Sequence, residues 1–447
     1  MRVRTCQAAD GKRFERQTHW KGVGPSTRAA VFWLLLVNVV LRGAWLCWMH
    51  PPQLYDFAWY YQRAVSLLQG KGYVWNGHPT AYWPIGYPYF LSLVFHLTGP
   101  HVMAGLIANA VLSIGIVLLV YAIARVTLAA TAWPARAAAF AAALGYSLLP
   151  SHIEWNAVLG SEELATFLLV LALWVYLVRP KAWWPVLAAG LCLGLSCDVR
   201  PIPLFFPVCI VCYERWSVRR SWGAALARAG GFAVMMLLAV SPVTVRNLLV
   251  LHHFILVSTN GGVNLWQGTH ADGYYFWSSN PHVNPLLAAH GNEIQQNAIA
   301  THAAVQFILH HPLRTLIHGF AKIYFLYWVD WNDIGVTFGA MPNLSAVMGH
   351  IAGWFNTVVY WAFMAISLTG LWAWLRRMRA RLALPVWYIA YYTAVFLFFP
   401  AWDRFRFPLM PLFAILLGMG WVWLFCRQRA EDDAARPVDD AAAIQTE

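Results

Sequence analysis

The chain is built on apolar runs whose lengths approach the roughly 20 residues an α-helix needs to cross a bilayer. They fall near residues 29–49, 102–124, 137–151, 160–178, 184–197, 201–213, 230–250, 351–375, 383–400 and 407–426, with the two runs flanking Asp198 the shortest. Composition agrees: 60% of residues are hydrophobic and 11% charged, against about 45–50% and about 25% in soluble domains. The 26 tryptophans suit a chain that anchors amphipathic rings at the membrane–water boundary. These features predict an all-α integral membrane protein with ten transmembrane helices. Residues 82–98 are also apolar, but Pro84, Gly86 and Pro88 interrupt the start of that run. It reads as a helix that dips into the membrane or lies along it.

Orientation follows from the basic residues. A net charge of +12 would suit nucleic acid in a soluble chain, but here the charge sits in short clusters between apolar runs. That pattern fits topology signals and anionic headgroups. With a basic arm, residues 1–28, in the cytoplasm and ten crossings, all but nine of the 31 Lys and Arg fall on the cytoplasmic side. The exceptions are Arg42, within the first run, and Arg63, Lys71, Arg200, Arg246, Arg314, Lys322, Arg404 and Arg406 on the outer side. A full crossing at 82–98, or a merger of the short runs around Asp198, would invert this pattern downstream. Both termini are therefore expected inside. The spanning domain covers 29–426, with outer segments at about 50–101 and 251–350, and 427–447 reads as a disordered tail. Ala29–Met49 is expected to stay as a span, because a long polar arm precedes it and no small-residue cleavage site follows. There is no internal repeat of the kind that marks many transporters. Cys209 and Cys212 have metal-like spacing but no neighbouring His or Cys cluster, and read as small core side chains.

Acidic residues do little to set orientation, yet in this arrangement they gather outside: Asp56, Glu154, Glu162, Glu163, Asp198, Asp272, Glu293, Asp330, Asp333 and Asp403. Several lie at span ends, where charge is costly and usually functional. Among them stand Arg200, Arg246 with Asn247, and Arg404 and Arg406. Carboxylates act as general bases and arginines hold phosphate through paired hydrogen bonds, which is what chemistry on an anionic lipid headgroup requires. Phe57, Tyr60, Tyr61, Ala64, Leu67 and Leu68 have helical spacing and predict an amphipathic helix with Asp56 at its N-cap. Capping alone would also account for Asp56, just as a favourable helix dipole would account for Glu154, Glu162 and Glu163. Arg404 and Arg406, two apart, would not share a helix face. Phe405 and Pro408 predict a loop there, with snorkelling or pairing to Asp403 as the plainer role. His252, His253, His282, His302, His310 and His311 show no ligand spacing. The stretch from Asn260 through Gly261 and Gly262 to Asn264 lacks the lysine and spacing of a phosphate loop. It predicts a tight turn that brings backbone close to a ligand or to the first outer segment.

The order of these motifs resembles the GT-C glycosyltransferases. More closely, it resembles the bacterial branch of dolichyl-phosphate-mannose-protein mannosyltransferase-like and aminoarabinose-transferase-like proteins. The resemblance starts at Asp56, Ala64 and Gly70-Lys71-Gly72-Tyr73, followed by Thr80 through Pro88. It continues through Pro150 to Glu154, Ser161-Glu162-Glu163, Arg200-Pro201, Ser241 to Asn247, Ser258 to Gly268, and Arg404 to Pro408, covering most of residues 30–426. It implies a GT-C-like bundle in a bacterial inner membrane, with its active site facing the periplasm or exterior. The implied reaction is inverting transfer of one sugar from a polyprenyl-phosphate donor to a glycolipid, polysaccharide or protein acceptor. Asp56 matches the catalytic base, and Glu162 an acceptor-orienting or second basic group. Arg246, Arg404 and Arg406, with Arg200 and Lys71, would hold the lipid phosphate. Glu154, Glu163, Tyr60, Tyr87, Asn260 and Asn264 would contact acceptor or sugar. Many relatives carry a second acid directly after the first; Phe57 stands there instead, which weakens any metal site built on such a pair and leaves a divalent metal open rather than required. The rival from another class is a transporter or flippase for a lipid-linked saccharide, which would need a charged path through the membrane.

Overall fold

The computed structural model describes residues 24–129, 134–288, 291–331, 335, 341, 345–377 and 380–425. The expected basic arm up to residue 23, Asp333 and the expected tail lie outside the described residues. In chain order the first helices are α1 (Thr27–Trp48), α2 (Tyr55–Leu68), α3 (Gly86–Thr98), α4 (Val102–Leu128), α5 (Ala135–Ser147), α6 (Pro150–Glu154), α7 (Glu162–Val178) and α8 (Trp184–Val199). There follow α9 (Phe206–Cys212), α10 (Trp222–Leu251), α11 (Gly261–Gln267), α12 (Glu293–His310), α13 (Pro312–Tyr327), α14 (Ala346–Arg377), α15 (Ala380–Val395) and α16 (Met410–Phe425).

All ten apolar runs are helical. Five helices are long and apolar enough to cross a membrane: α1, α4, α10, α14, and α16 with the turn before it. α16 is buried along most of its length and, with α4, α5, α7 and α8, forms the apolar core. The run after Asp198 is broken into a 3₁₀ turn, α9 and a π-helical turn over Tyr213–Ser217. Pro201, Pro203 and Pro207 lie in its first half, where each removes a backbone donor.

Small residues bring helices close. α8 carries Gly190 and Gly194 four apart, and a Cβ at either would run into the Phe232 or Met236 carbonyl of α10. This is the close approach that small residues permit between membrane helices. At the Trp184 end of α8 lies a buried ionic knot. Glu214 accepts from Tyr176 (2.5 Å), Arg220 (2.6 Å) and Arg228 (3.1 Å), and both arginines also donate to the Pro180 carbonyl.

At the other end of α8 lie the outer segments. α2 and α3 pack through Tyr60 on Tyr87 and Tyr61 on Phe95. Between them is a hairpin of β1 (Val74–Trp75) and β2 (His78–Pro79). Its turn residues Asn76 and Gly77 have φ of 50° and 80°, the Asn-Gly geometry that matches strand twist. The run at 82–98 is the short helix α3, starting after Pro84, and Gly86 lets its first turn meet the Asp198 carbonyl. The two outer segments are buckled together. Glu293 accepts from Thr80 Oγ1 (2.5 Å) and the Ala81 amide (2.8 Å), and the Thr259 amide donates to the Ala81 carbonyl (2.8 Å).

Candidate active site

Asp56 enters the site from the first turn of α2. The expected N-cap role is not what the structure shows: Leu54 is the cap residue, and Asp56 caps nothing. The residue before it, Tyr55, has φ of 50°, a left-handed conformation uncommon outside glycine and often found where function fixes a side chain.

Glu162 is the first residue of α7 and is fully buried. A buried carboxylate needs partners, and it has three. Arg200 Nη2 (2.6 Å) and Arg404 Nε (2.6 Å) donate to Oε1, and Trp155 Nε1 (3.2 Å) donates to Oε2. Gly160 makes this fit possible, since a Cβ there would sit 2.5 Å from Trp155 Nε1 and 2.7 Å from Glu162 Oε2. Arg200, just past α8, also donates through Nε to Ser161 Oγ (3.1 Å).

Arg404 joins the two acids. Besides Glu162 it donates through Nη2 to Asp56 Oδ2 (2.5 Å). Its guanidinium lies over the rings of Phe57 (5.2 Å) and Trp155 (5.0 Å), so the position after Asp56 supplies an aromatic wall. Asp56, Glu162, Arg200 and Arg404 thus form one chain of charges drawn from four parts of the sequence. Tyr60 lines the same place, 3.5 Å from Ser161 Oγ. Burial, and next the charge of Asp56, push its hydroxyl up to about 12, so it stays protonated.

Arg406 goes elsewhere. Residues Asp403–Leu409 form a 3₁₀ helix, not the expected loop. With three residues per turn, positions two apart point in different directions. Arg406 is buried against the Tyr360 ring, paired with Asp330, and donates to the Leu326 (2.9 Å) and Val329 (2.6 Å) carbonyls. Arg246 donates to the Thr80 (2.7 Å) and Tyr73 (2.9 Å) carbonyls and so holds the first outer segment in place. Lys71 is exposed. Glu154 is buried and accepts from Asn356 (2.6 Å). Glu163 is buried, and neither carboxylate oxygen has a hydrogen-bond partner among the described residues. Tyr87 donates to Asn109 (3.1 Å). Asn260 accepts from Ser258 (2.9 Å), while Asn264 is half-buried on α11. The glycines between them start α11 rather than the expected tight turn, and the contact with the first outer segment is made one residue earlier, by the Thr259 amide.

Among the described residues no three His, Cys, Asp or Glu side chains are grouped to hold a metal ion. Asp56 instead faces a guanidinium, a donor set that does not fit a cation. In the sequence Trp155 has no assigned role, and Ser161 is marked only as part of a motif. One tryptophan among 26 carries no local signal, although its place beside Glu154 and seven residues before Glu162 is visible in hindsight.

Residues 85–291 match the model of glycosyltransferase family 87. Glu162 and Arg200 fall inside that segment, while Asp56 and Arg404 lie outside it. No curated protein matches the chain. Among solved structures, the chain is similar to the Archaeoglobus fulgidus oligosaccharyltransferase in complex with zinc and sulfate, at 15% identity and a TM-score of 0.53. That match covers 93% of this chain and 52% of the other. The same organism's oligosaccharyltransferase AglB, in complex with an inhibitory peptide and a dolichol-phosphate, matches at 13% identity and a TM-score of 0.51, covering 92% and 53%. ArnT from Cupriavidus metallidurans, bound to undecaprenyl phosphate, gives 13% identity over 89% and 78% of the two chains at a TM-score of 0.44. The chain spans about half the length of the oligosaccharyltransferase chains it matches. It is an all-α membrane protein of GT-C-like fold, and its central segment resembles glycosyltransferase family 87.

Proposed function

We propose that the protein transfers a single sugar from a polyprenyl-phosphate donor to an acceptor hydroxyl on the extracytoplasmic face of the membrane, with inversion at the anomeric carbon. The observation that carries this reading is the joining of Asp56 and Glu162 through Arg404 at one end of the bundle. Asp56, the acid with solvent access, takes the acceptor proton as general base. Glu162 holds Arg404 and Arg200 in place, and those two guanidiniums meet the phosphate through charge-assisted hydrogen bonds. Arg246 and Arg406 support the site from outside it, by fixing the first outer segment and the 3₁₀ turn. Lys71 is free to meet a headgroup at the rim. Tyr60, beside Ser161 Oγ, offers a wall for the sugar, while Glu154, Glu163 and Tyr87 are buried and Asn260 and Asn264 belong to the second outer segment. The acceptor is a glycolipid, polysaccharide or protein of the bacterial envelope.

The test is transfer of radiolabelled sugar from synthetic polyprenyl-phosphate sugars to an envelope extract, comparing the purified protein with Asp56→Asn. Transfer should fall by about 10²–10⁴-fold in the variant, the usual worth of a general base. Equal transfer by both proteins would remove Asp56 as base. Movement of lipid-linked sugar across vesicles without any transfer would point to a transporter instead.

A further inference from the structure

A general base has to be free to accept a proton, and Asp56 is not free. Arg404 donates to it at 2.5 Å and to Glu162 at 2.6 Å. A carboxylate oxygen so held is already occupied by a charge-assisted donor and is not open to an acceptor hydroxyl. The two acids differ in how easily they could let go. Glu162 has no exposed side-chain surface, and Arg200 and Trp155 hold it independently of Arg404. The Asp56 side chain is 20% exposed, and Arg404 is its one hydrogen-bond partner among the described residues. Moving Arg404 off Asp56 therefore leaves a carboxylate that keeps some solvent contact, while Glu162 keeps two donors. A cavity of about 20 Å³, lined by His152, Trp155, Asp403 and Arg404 among others, lies against the guanidinium, so its packing is not tight on that side. Asp56, Glu162, Arg200 and Arg404 together carry no net charge, so an arriving phosphodiester brings one unmatched negative charge to the cluster.

We propose that Arg404 is a donor-operated clamp on the base. In the donor-free protein it neutralises Asp56, and the phosphate of the lipid carrier draws it away, freeing the base only when a lipid phosphate is bound. This rests on the glycosyltransferase reading above. In the transfer step the acceptor oxygen bonds to the anomeric carbon and its proton passes to Asp56. The bond from that carbon to the phosphate oxygen breaks, and its electron pair leaves with the phosphate. Asp56 goes from charged to neutral as the phosphate goes from singly to doubly charged. Arg404, within reach of both, follows the charge and stabilises it where it develops. Productive binding is then ordered, donor before acceptor.

The test is a thermodynamic cycle on the binding of undecaprenyl phosphate to the full-length protein in detergent, over Asp56→Asn and Arg404→Gln. If Asp56 and phosphate compete for Arg404, Asp56→Asn should tighten binding by about tenfold in the unaltered protein and by less than about twofold in the Arg404→Gln background. Equal tightening in both backgrounds would mean simple charge repulsion and would overturn the clamp, as would no tightening in either. In both of those cases binding itself persists and the glycosyltransferase reading stands. No binding by the unaltered protein would overturn that reading, and the clamp with it. Should Arg404→Gln fail to fold, Arg404→Lys replaces it. A lysine keeps the charge but cannot bridge two acids as a planar fork does. The tightening by Asp56→Asn should then shrink, and an undiminished effect overturns the proposal.

Discussion

Arg404 and Arg406 are the same residue type two positions apart, and their fates diverge completely. A 3₁₀ turn sends one toward Asp56 and Glu162 and the other toward Asp330 and two backbone carbonyls. Sequence alone weighs them equally, because carbonyl partners leave no trace in residue identities; Arg246 escaped distinction for the same reason. Glu162, Arg200 and Arg404 stand out in the sequence because charge at a span end is expensive and needs a reason, whereas Asp56 is singled out only by the family resemblance. Lys322 offers a separate titration outside the membrane spans. It is buried on α13 with its Nζ on the Gly268 carbonyl (2.7 Å), and burial pushes the amine down to about 7. An unfolded chain keeps that proton up to about 10.4, so between these values the unfolded state binds more protons. Stability should therefore rise with pH across this window and be flat below it. Thermal unfolding in detergent should show that slope in the unaltered protein, and Lys322→Met should reduce it.

Helices were predicted from apolar run length, and each run is helical; what the runs could not reveal is how closely the helices approach. Gly190 and Gly194 seat α8 on α10, and α8 ends at the arginine that holds Glu162. A leucine at Gly194 has no space, since its Cβ would meet the Met236 carbonyl and the Ala239 Cβ. Gly194→Leu should lower stability by about 1–3 kcal/mol or more, the usual cost of overpacking. A drop in melting temperature in detergent is the readout. Gly43→Ala on α1, where an added Cβ meets nothing within 4 Å, is the control and should be neutral or slightly stabilising. The elements misread from sequence were those set by local backbone rather than by apolar pattern. Asp56 sits inside its helix instead of capping it, and 403–409 winds as a 3₁₀ turn where Pro408 suggested a loop. Run length says nothing about either.

Besides the pair of Arg406 and Asp330, the described residues of the whole molecule hold two ionic centres at opposite ends of α8, the Glu214 knot and the Asp56 site. With 16 residues in α8, they are separated by about 24 Å along its axis. On the orientation proposed from the basic residues the knot faces the cytoplasm, so a reporter fused after Arg220 should read cytoplasmic; a periplasmic reading would refute the ten-span arrangement. The likeness to chains about twice as long shows a shared bundle and leaves activity to the experiments above. The ion pair between Asp56 and Arg404 joins residues 348 apart, which has a bearing on synthesis. At about 5–20 residues per second, roughly 20–70 seconds separate the appearance of one from that of the other on the ribosome. Throughout that interval the nascent chain holds Asp56 without its partner, so the site cannot assemble piecemeal. The charge cluster can close only after Arg404 has been made, so the site depends on a late-made segment finding an early one.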